Sequence, residues 1–134
     1  MLDHEIVKFL ISWVNENNVY KGFLLNLEII DLTLEELKYK ACRGKCPVLA
    51  FFSAPNIIYI AKLDFNDLCN QSILLHEIIH VFQYQSGNEM QNVFKEKEAY
   101  EIQNKFLINE SLKNGYFEQL NVKKCRSMQS NVLD

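Results

Sequence analysis

The chain has 134 residues, 49% of them hydrophobic and 23% charged, which is enough to enclose one core and too few for two. A formal net charge of -3 excludes the basic footprint that nucleic acid or an anionic membrane surface requires. The longest apolar runs, such as PVLAFFSAP, fall far short of the roughly 20 residues of a transmembrane helix, so no membrane insertion is expected.

At the N-terminus, Asp3, His4 and Glu5 stand where a secretory signal carries positive charge, so no signal peptide is read there. Ile6, Val7, Phe9, Leu10, Trp13 and Val14 recur at steps of three and four, which predicts an amphipathic helix from about Asp3 to Val14, closed by NENN. The run GFLLNLEII reads as a strand. Thr33 followed by LEELKYK, with Glu36 three residues past the cap, reads as a short helix.

The segment CRGKCP is the clearest breaker in the chain. Cys42 and Cys46 flank its glycine, a spacing that allows a local disulfide in an oxidising setting, while Cys69 and Cys125 are not expected to build a second zinc site. The β-rich runs VLAFF and NIIYIAK, separated by Ser-Ala-Pro-Asn, predict a hairpin. Helical patterns follow from about Asp67 to Gln85 and from about Gln91 to Lys113, broken at Ser86-Gly87-Asn88. Beyond Gly115 periodicity is lost, and the tail with Lys123, Lys124 and Arg126 is expected to be poorly ordered.

Chemistry concentrates at His76-Glu77-Ile78-Ile79-His80, an HExxH pattern. At ~100° per residue, the two histidines lie about 40° apart around the helix, and Glu77 lies about 60° from His80. All three share one face. Leu74, Leu75, Ile78, Ile79, Val81 and Phe82 fill the rest of the circumference, with Cys69, Ile73, Gln83 and Tyr84 near the polar stripe. Buried imidazoles and carboxylates without partners are costly, so the stripe must face a cleft or a metal ion. The competing reading is a pair of hydrogen-bonded core histidines beside a surface glutamate.

A catalytic zinc takes three protein ligands and leaves a position for water. The one other histidine, His4, sits on the distant first helix, whereas Lys95 to Tyr100 opens the helix that follows HExxH, and a helical hairpin brings it back beside His76 and His80. Glu96 and Glu98 are about 200° apart on that helix, so one of them at most faces the metal. Glu96 falls in the apolar half of the wheel, beside Gln103 and among Val93, Ala99, Tyr100, Ile102, Phe106 and Leu107. Glu98 falls with Lys97, Glu101, Asn104 and Lys105 on what reads as the solvated face. Glu96 is therefore the expected third ligand and Glu98 the fallback.

With these residues in place, the sequence resembles the gluzincin class of zinc metallopeptidases, in which HExxH is followed on a later helix by a ligand glutamate in an ExxA pattern. Here the match reads Glu96-Lys97-Glu98-Ala99. It is also similar to small uncharacterised bacterial proteins of metallopeptidase type, through HEIIHVFQY and EAYEIQNKF. The likeness spans roughly Asn56 to Phe106, with one departure: Tyr100 stands where larger gluzincins often carry an acid that orients a ligand histidine.

The resemblance implies an α+β, zincin-like domain over residues 1–134. A short antiparallel sheet of about three strands would pack on the HExxH helix and the glutamate-bearing helix, with a helix at the N-terminus. It further implies a Zn2+ cofactor on His76, His80 and Glu96, Glu77 as general base, and a peptide or protein substrate lying along NIIYIAK. By helical phase Tyr84 is the nearest donor to a developing oxyanion, though a helix-end tyrosine packing its ring is the more common arrangement. Phe51, Phe52 and Tyr59 either line a pocket or pack in the core.

Three alternatives stand beside peptide hydrolysis: amide cleavage in cell-wall peptides, zinc binding without turnover, and a metal-free interaction module. A native Met1 implies the cytoplasm and free thiols, and a removed leader implies the periplasm or secretion. Oligomeric state is not legible.

Overall fold

A computed structural model describes residues 2–17, 20, 25–43 and 48–133, with side chains through residue 128. The elements follow in the order α1 (His4–Asn17), β1 (Glu28–Leu32), α2 (Leu34–Cys42), β2 (Ala50–Ser53), β3 (Ile57–Ala61), α3 (Leu68–Gln85), α4 (Asn92–Lys113) and α5 (Val122–Leu133). The class is α+β, as expected. Among the described residues no helix is long and apolar enough to cross a membrane.

Local signals set the boundaries. The Thr33 hydroxyl accepts from the Glu36 backbone N–H while Glu36 accepts from the Thr33 N–H, a reciprocal capping box that starts α2. Asp67 caps α3 by accepting from the backbone of Cys69 and Asn70. Between α3 and α4 the chain reverses at Gly87, whose φ of +76° a side chain would strain.

The sheet departs from expectation. Its order is β1-β3-β2, with β1 parallel to β3 and β2 antiparallel to it, so it is mixed and not antiparallel. The β2–β3 hairpin is the predicted one, but α2 carries the chain from β1 past the centre of the sheet to β2, and the hairpin then returns β3 between them, parallel to β1. The parallel pair places β3 in the centre and leaves β2 as an edge.

Each sheet face covers a core. Leu37 of α2 packs with Leu49 and Ala61 on one face. On the other, Ile58 and Ile60 meet α3, whose Leu74, Leu75, Ile78, Ile79, Val81 and Phe82 are fully buried and join Leu10, Trp13 and Val14 of α1 and Ala99, Phe106 and Leu107 of α4. Each such side chain contributes about 1.5–3 kcal/mol by leaving water. That surround holds α3 rigidly.

Beyond Gly115 the described residues include α5, which packs against α3 and α4. Leu120, Val122 and Cys125 are buried, the Val122 N–H donates to Asn104 Oδ1 at 2.8 Å, and Cys125 is disulfide-bonded to Cys69 at the start of α3, with a Cα separation of 5.5 Å. A covalent tie and three apolar anchors take the place of a long periodic pattern. A Cys42–Cys46 bridge involves Cys46, which lies outside the described residues.

Candidate metal centre

The three ligand atoms converge. His76 Nε2 lies 3.1 Å from His80 Nε2 and 3.1 Å from Glu96 Oε1, and His80 Nε2 also contacts that Glu96 oxygen. One turn of α3 supplies the histidines. The antiparallel return of α4 supplies the glutamate, from the position the helical wheel selects.

The hydrogen bonds behind each imidazole fix what it presents. Ser72 Oγ donates its single proton to the Cys69 carbonyl at 2.7 Å, so at its 3.1 Å contact with Gln103 Nε2 it can only accept. The Gln103 amide is thereby oriented with Oε1 toward His76 Nδ1, 2.9 Å away, and Nδ1 must carry the proton. Gln83 repeats the arrangement. Its Nε2 donates to the Lys95 carbonyl at 2.9 Å and to Glu98 Oε1 at 3.1 Å, leaving Oε1 to accept from His80 Nδ1 at 2.8 Å. With Nδ1 of each ring donating to a glutamine carbonyl, Nε2 of each is the atom left to face a metal ion.

The two Nε2 atoms and a Glu96 carboxylate oxygen thus face one another, an arrangement that calls for a cation among them, a metal ion or a proton on an imidazole. Burial, then the neighbouring His80, hold the His76 imidazole below its ordinary pKa, in the neutral form that binds metal. His76, His80 and Glu96 form a group able to hold a metal ion.

Glu98 takes a different place. It accepts from Tyr20 Oη at 2.6 Å and from Gln83, so it is neither the fallback ligand nor part of a solvated face: it ends the chain of bonds that begins at His80. Burial and the Glu98 hydrogen bond hold the Tyr20 hydroxyl far above its ordinary pKa, which keeps it a donor. The expected acid behind a ligand histidine is thus replaced by two glutamine carbonyls. Tyr100, in the acid's place, instead packs its ring 4.4 Å from that of His76.

Glu77, the one carboxylate of α3, shares a cleft of about 350 Å³ with His76, His80, Glu96, Tyr100, Gln103 and Arg126. Burial, then the charge of Glu96, push its carboxyl up to about 8, while a hydrogen bond from the Phe52 backbone N–H pulls the other way. That N–H identifies the open side of β2. Leu49 O accepts from the Ala61 N–H of β3, so by alternation the polar backbone groups of Ala50 and Phe52 point away from the sheet, and Ala50 borders the cleft.

The free edge beside the site is therefore β2, and the expectation for NIIYIAK is corrected, since β3 is paired on both sides. Phe51 and Tyr59 pack together at 5.1 Å, in the cluster with Leu37, and line no part of the cleft. Tyr84 is 52% exposed, meets Phe52 edge-on at 5.9 Å, and borders a second hollow that shares His80 and Glu96 with the cleft. Sequence reading missed the roles of Gln83, Gln103 and Arg126. The signal for the glutamines was available, because both are amides on otherwise apolar helix faces.

No protein-family model matches the chain, and comparison with curated proteins and with solved structures returned no match.

Proposed function

We propose that the protein is a zinc-dependent hydrolase of gluzincin type, built on a minimal zincin-like fold, that cleaves peptide bonds. The observation that carries this reading is the convergence of two Nε2 atoms and one carboxylate oxygen on a single point, beside the carboxyl group of Glu77. A tetrahedral zinc with ligands at about 2.0–2.1 Å separates them from one another by roughly 3.3 Å, close to the 3.1 Å between the imidazole nitrogens. Two nitrogens and one oxygen leave a fourth position for water.

Bound zinc supplies a Lewis acid that polarises water and the substrate carbonyl. Glu77 accepts the proton of the attacking water and returns it to the amine as the C–N bond breaks, giving a carboxylic acid and an amine. The positive charge of an ion held by Glu96 opposes the push that burial and Glu96 exert on Glu77, and so favours the carboxylate form a base needs. The outward backbone groups of Ala50 and the Phe52 carbonyl give an extended peptide an edge to pair with, the Phe52 N–H being held by Glu77. Tyr84, which borders the same hollow as His80 and Glu96, is the oxyanion donor in this reading. The Cys69–Cys125 bridge supports an oxidising working compartment.

Zinc analysis together with peptide hydrolysis by the parent protein and by Glu77→Gln tests the proposal. The expected result is one zinc per chain in both and turnover in the parent alone, lower by at least ~100-fold in the variant. Equal turnover removes Glu77 from the mechanism. Absence of zinc from the parent removes the metal centre.

A further inference from the structure

The cleft contains a cation that the peptidase reading leaves unused. Arg126 projects from the first turns of α5, lays its guanidinium over the Tyr100 ring at 4.8 Å and donates from Nη2 to the Tyr100 hydroxyl. A guanidinium has five N–H donors in a planar fork. Tyr100 takes one, and among the described residues no carboxylate pairs with Arg126, so most of the fork is left to the cleft it lines.

Its position is built. The next residue back, Cys125, is bonded to Cys69 of α3, the Val122 N–H is held by Asn104 of α4, and the Leu120 N–H donates to Ser111 Oγ at 3.1 Å. Two helices of the metal centre therefore fix the turn of α5 that carries Arg126. Tyr100, whose ring centroid is 4.4 Å from that of His76, touches both that histidine and the guanidinium. Those two steps amount to no more than about three residues of extended chain, at 3.3–3.6 Å each.

We propose that Arg126 is a specificity-determining residue that receives a carboxylate of the substrate, within about three residues of the bond cleaved. The proposal rests on the zinc-peptidase reading for the identity of that bond. Among the described residues Arg126 is the one Lys or Arg lining the cleft, against the carboxyl groups of Glu77 and Glu96, and together with a dication on the three ligand atoms it outweighs those two acids. A planar fork already stacked on an aromatic ring suits bidentate capture of a carboxylate, with less freedom left to lose on binding than a lysine has. The carboxylate has two sources, the free C-terminus of a peptide or an Asp or Glu side chain.

The test is the affinity of the zinc-loaded Glu77→Gln protein for three N-acetylated alanine-rich hexapeptides: the free acid, its C-terminal amide, and the amide with one Asp. At least one carboxylate peptide is expected to bind tenfold or more tightly than the neutral amide, and which one does so identifies the source. Adding Arg126→Gln should bring that ratio toward one, and Arg126→Lys should keep part of it. Tyr100→Phe, which removes the hydroxyl that holds the fork, should lower the ratio and provides a second route should the Gln variant not fold. Equal affinity for all three peptides, or binding of none, overturns the proposal. So does a preference that survives in Arg126→Gln, which assigns the carboxylate to the metal. Turnover of the same peptides with Glu77 intact is read separately: preference without turnover removes the peptidase reading and keeps Arg126, and turnover without preference does the reverse.

Discussion

At the level of single residues, Glu96 and Glu98 differ by two positions and by the atoms they serve, so the same Glu→Gln change has two outcomes. Glu96→Gln removes the oxygen that meets both Nε2 atoms and should abolish stoichiometric zinc binding. Glu98→Gln leaves the Lys95 carbonyl on Gln83 and should weaken zinc only by ~10-fold, the effect of loosening a group behind a ligand. Competition against a chromophoric chelator measures both, and equal losses would show that the two glutamates are not divided in this way. Tyr20 adds a pH dependence. Its folded pKa is raised above its unfolded value near 10, so above about pH 10 the unfolded chain releases a proton that the folded chain keeps, and stability falls as pH rises. Denaturant unfolding between pH 8 and 11 should show a steeper loss in the parent than in Tyr20→Phe, and parallel curves would place the titration elsewhere. The wheel of α4 was enough to find Glu96, because an acid in an apolar half demands a partner. It misplaced Glu98, whose partners, Tyr20 outside any helix and Gln83 near the end of α3, leave no periodic mark on α4.

Among the elements, those legible in the sequence carry their own start and stop signals: the Thr33 capping box, the Asp67 cap, and the break at Gly87. The direction of β1 is not of that kind. An apolar strand reads the same whether its neighbour runs with it or against it, and the choice was made by α2, which carries the chain past the centre of the sheet to β2. The attachment of α5 is of the same kind, since it rests on a few apolar contacts and one disulfide, and a pairing between cysteines 56 residues apart leaves no local trace. In a chain-entropy account, closing a loop of that length stabilises the fold by about 4 kcal/mol. Cys69→Ser with Cys125→Ser should therefore lower unfolding free energy by roughly 2–5 kcal/mol. It should also leave zinc stoichiometry intact, because the three ligands stand on α3 and α4. Denaturant titration and metal analysis of the double variant check this. Loss of zinc in a folded double variant would mean that α5 holds the metal centre together and does more than border it.

On the scale of the whole molecule, the fold buries an arrangement that opposes it. The metal-free protein must hold two imidazole nitrogens and a carboxylate in contact, with the buried carboxyl group of Glu77 beside them, and the surrounding core supplies the stability to do so. Two consequences follow for thermal unfolding. Zinc should raise the midpoint, because an ion that binds the folded state alone stabilises by about 2.7 kcal/mol at 100 times its Kd, several degrees for a domain of this size. In the absence of zinc, Glu96→Gln should unfold at a higher temperature than the parent, because its amide offers N–H donors to the Nε2 atoms and removes the charge facing Glu77. The same variant should show little of the zinc-dependent rise. Scanning calorimetry of both proteins after chelation, and again with zinc added, reads the two effects separately. A metal-free Glu96→Gln less stable than the parent would mean that the three atoms are held together by hydrogen bonds through a protonated histidine, and the case for a metal centre would fail with it.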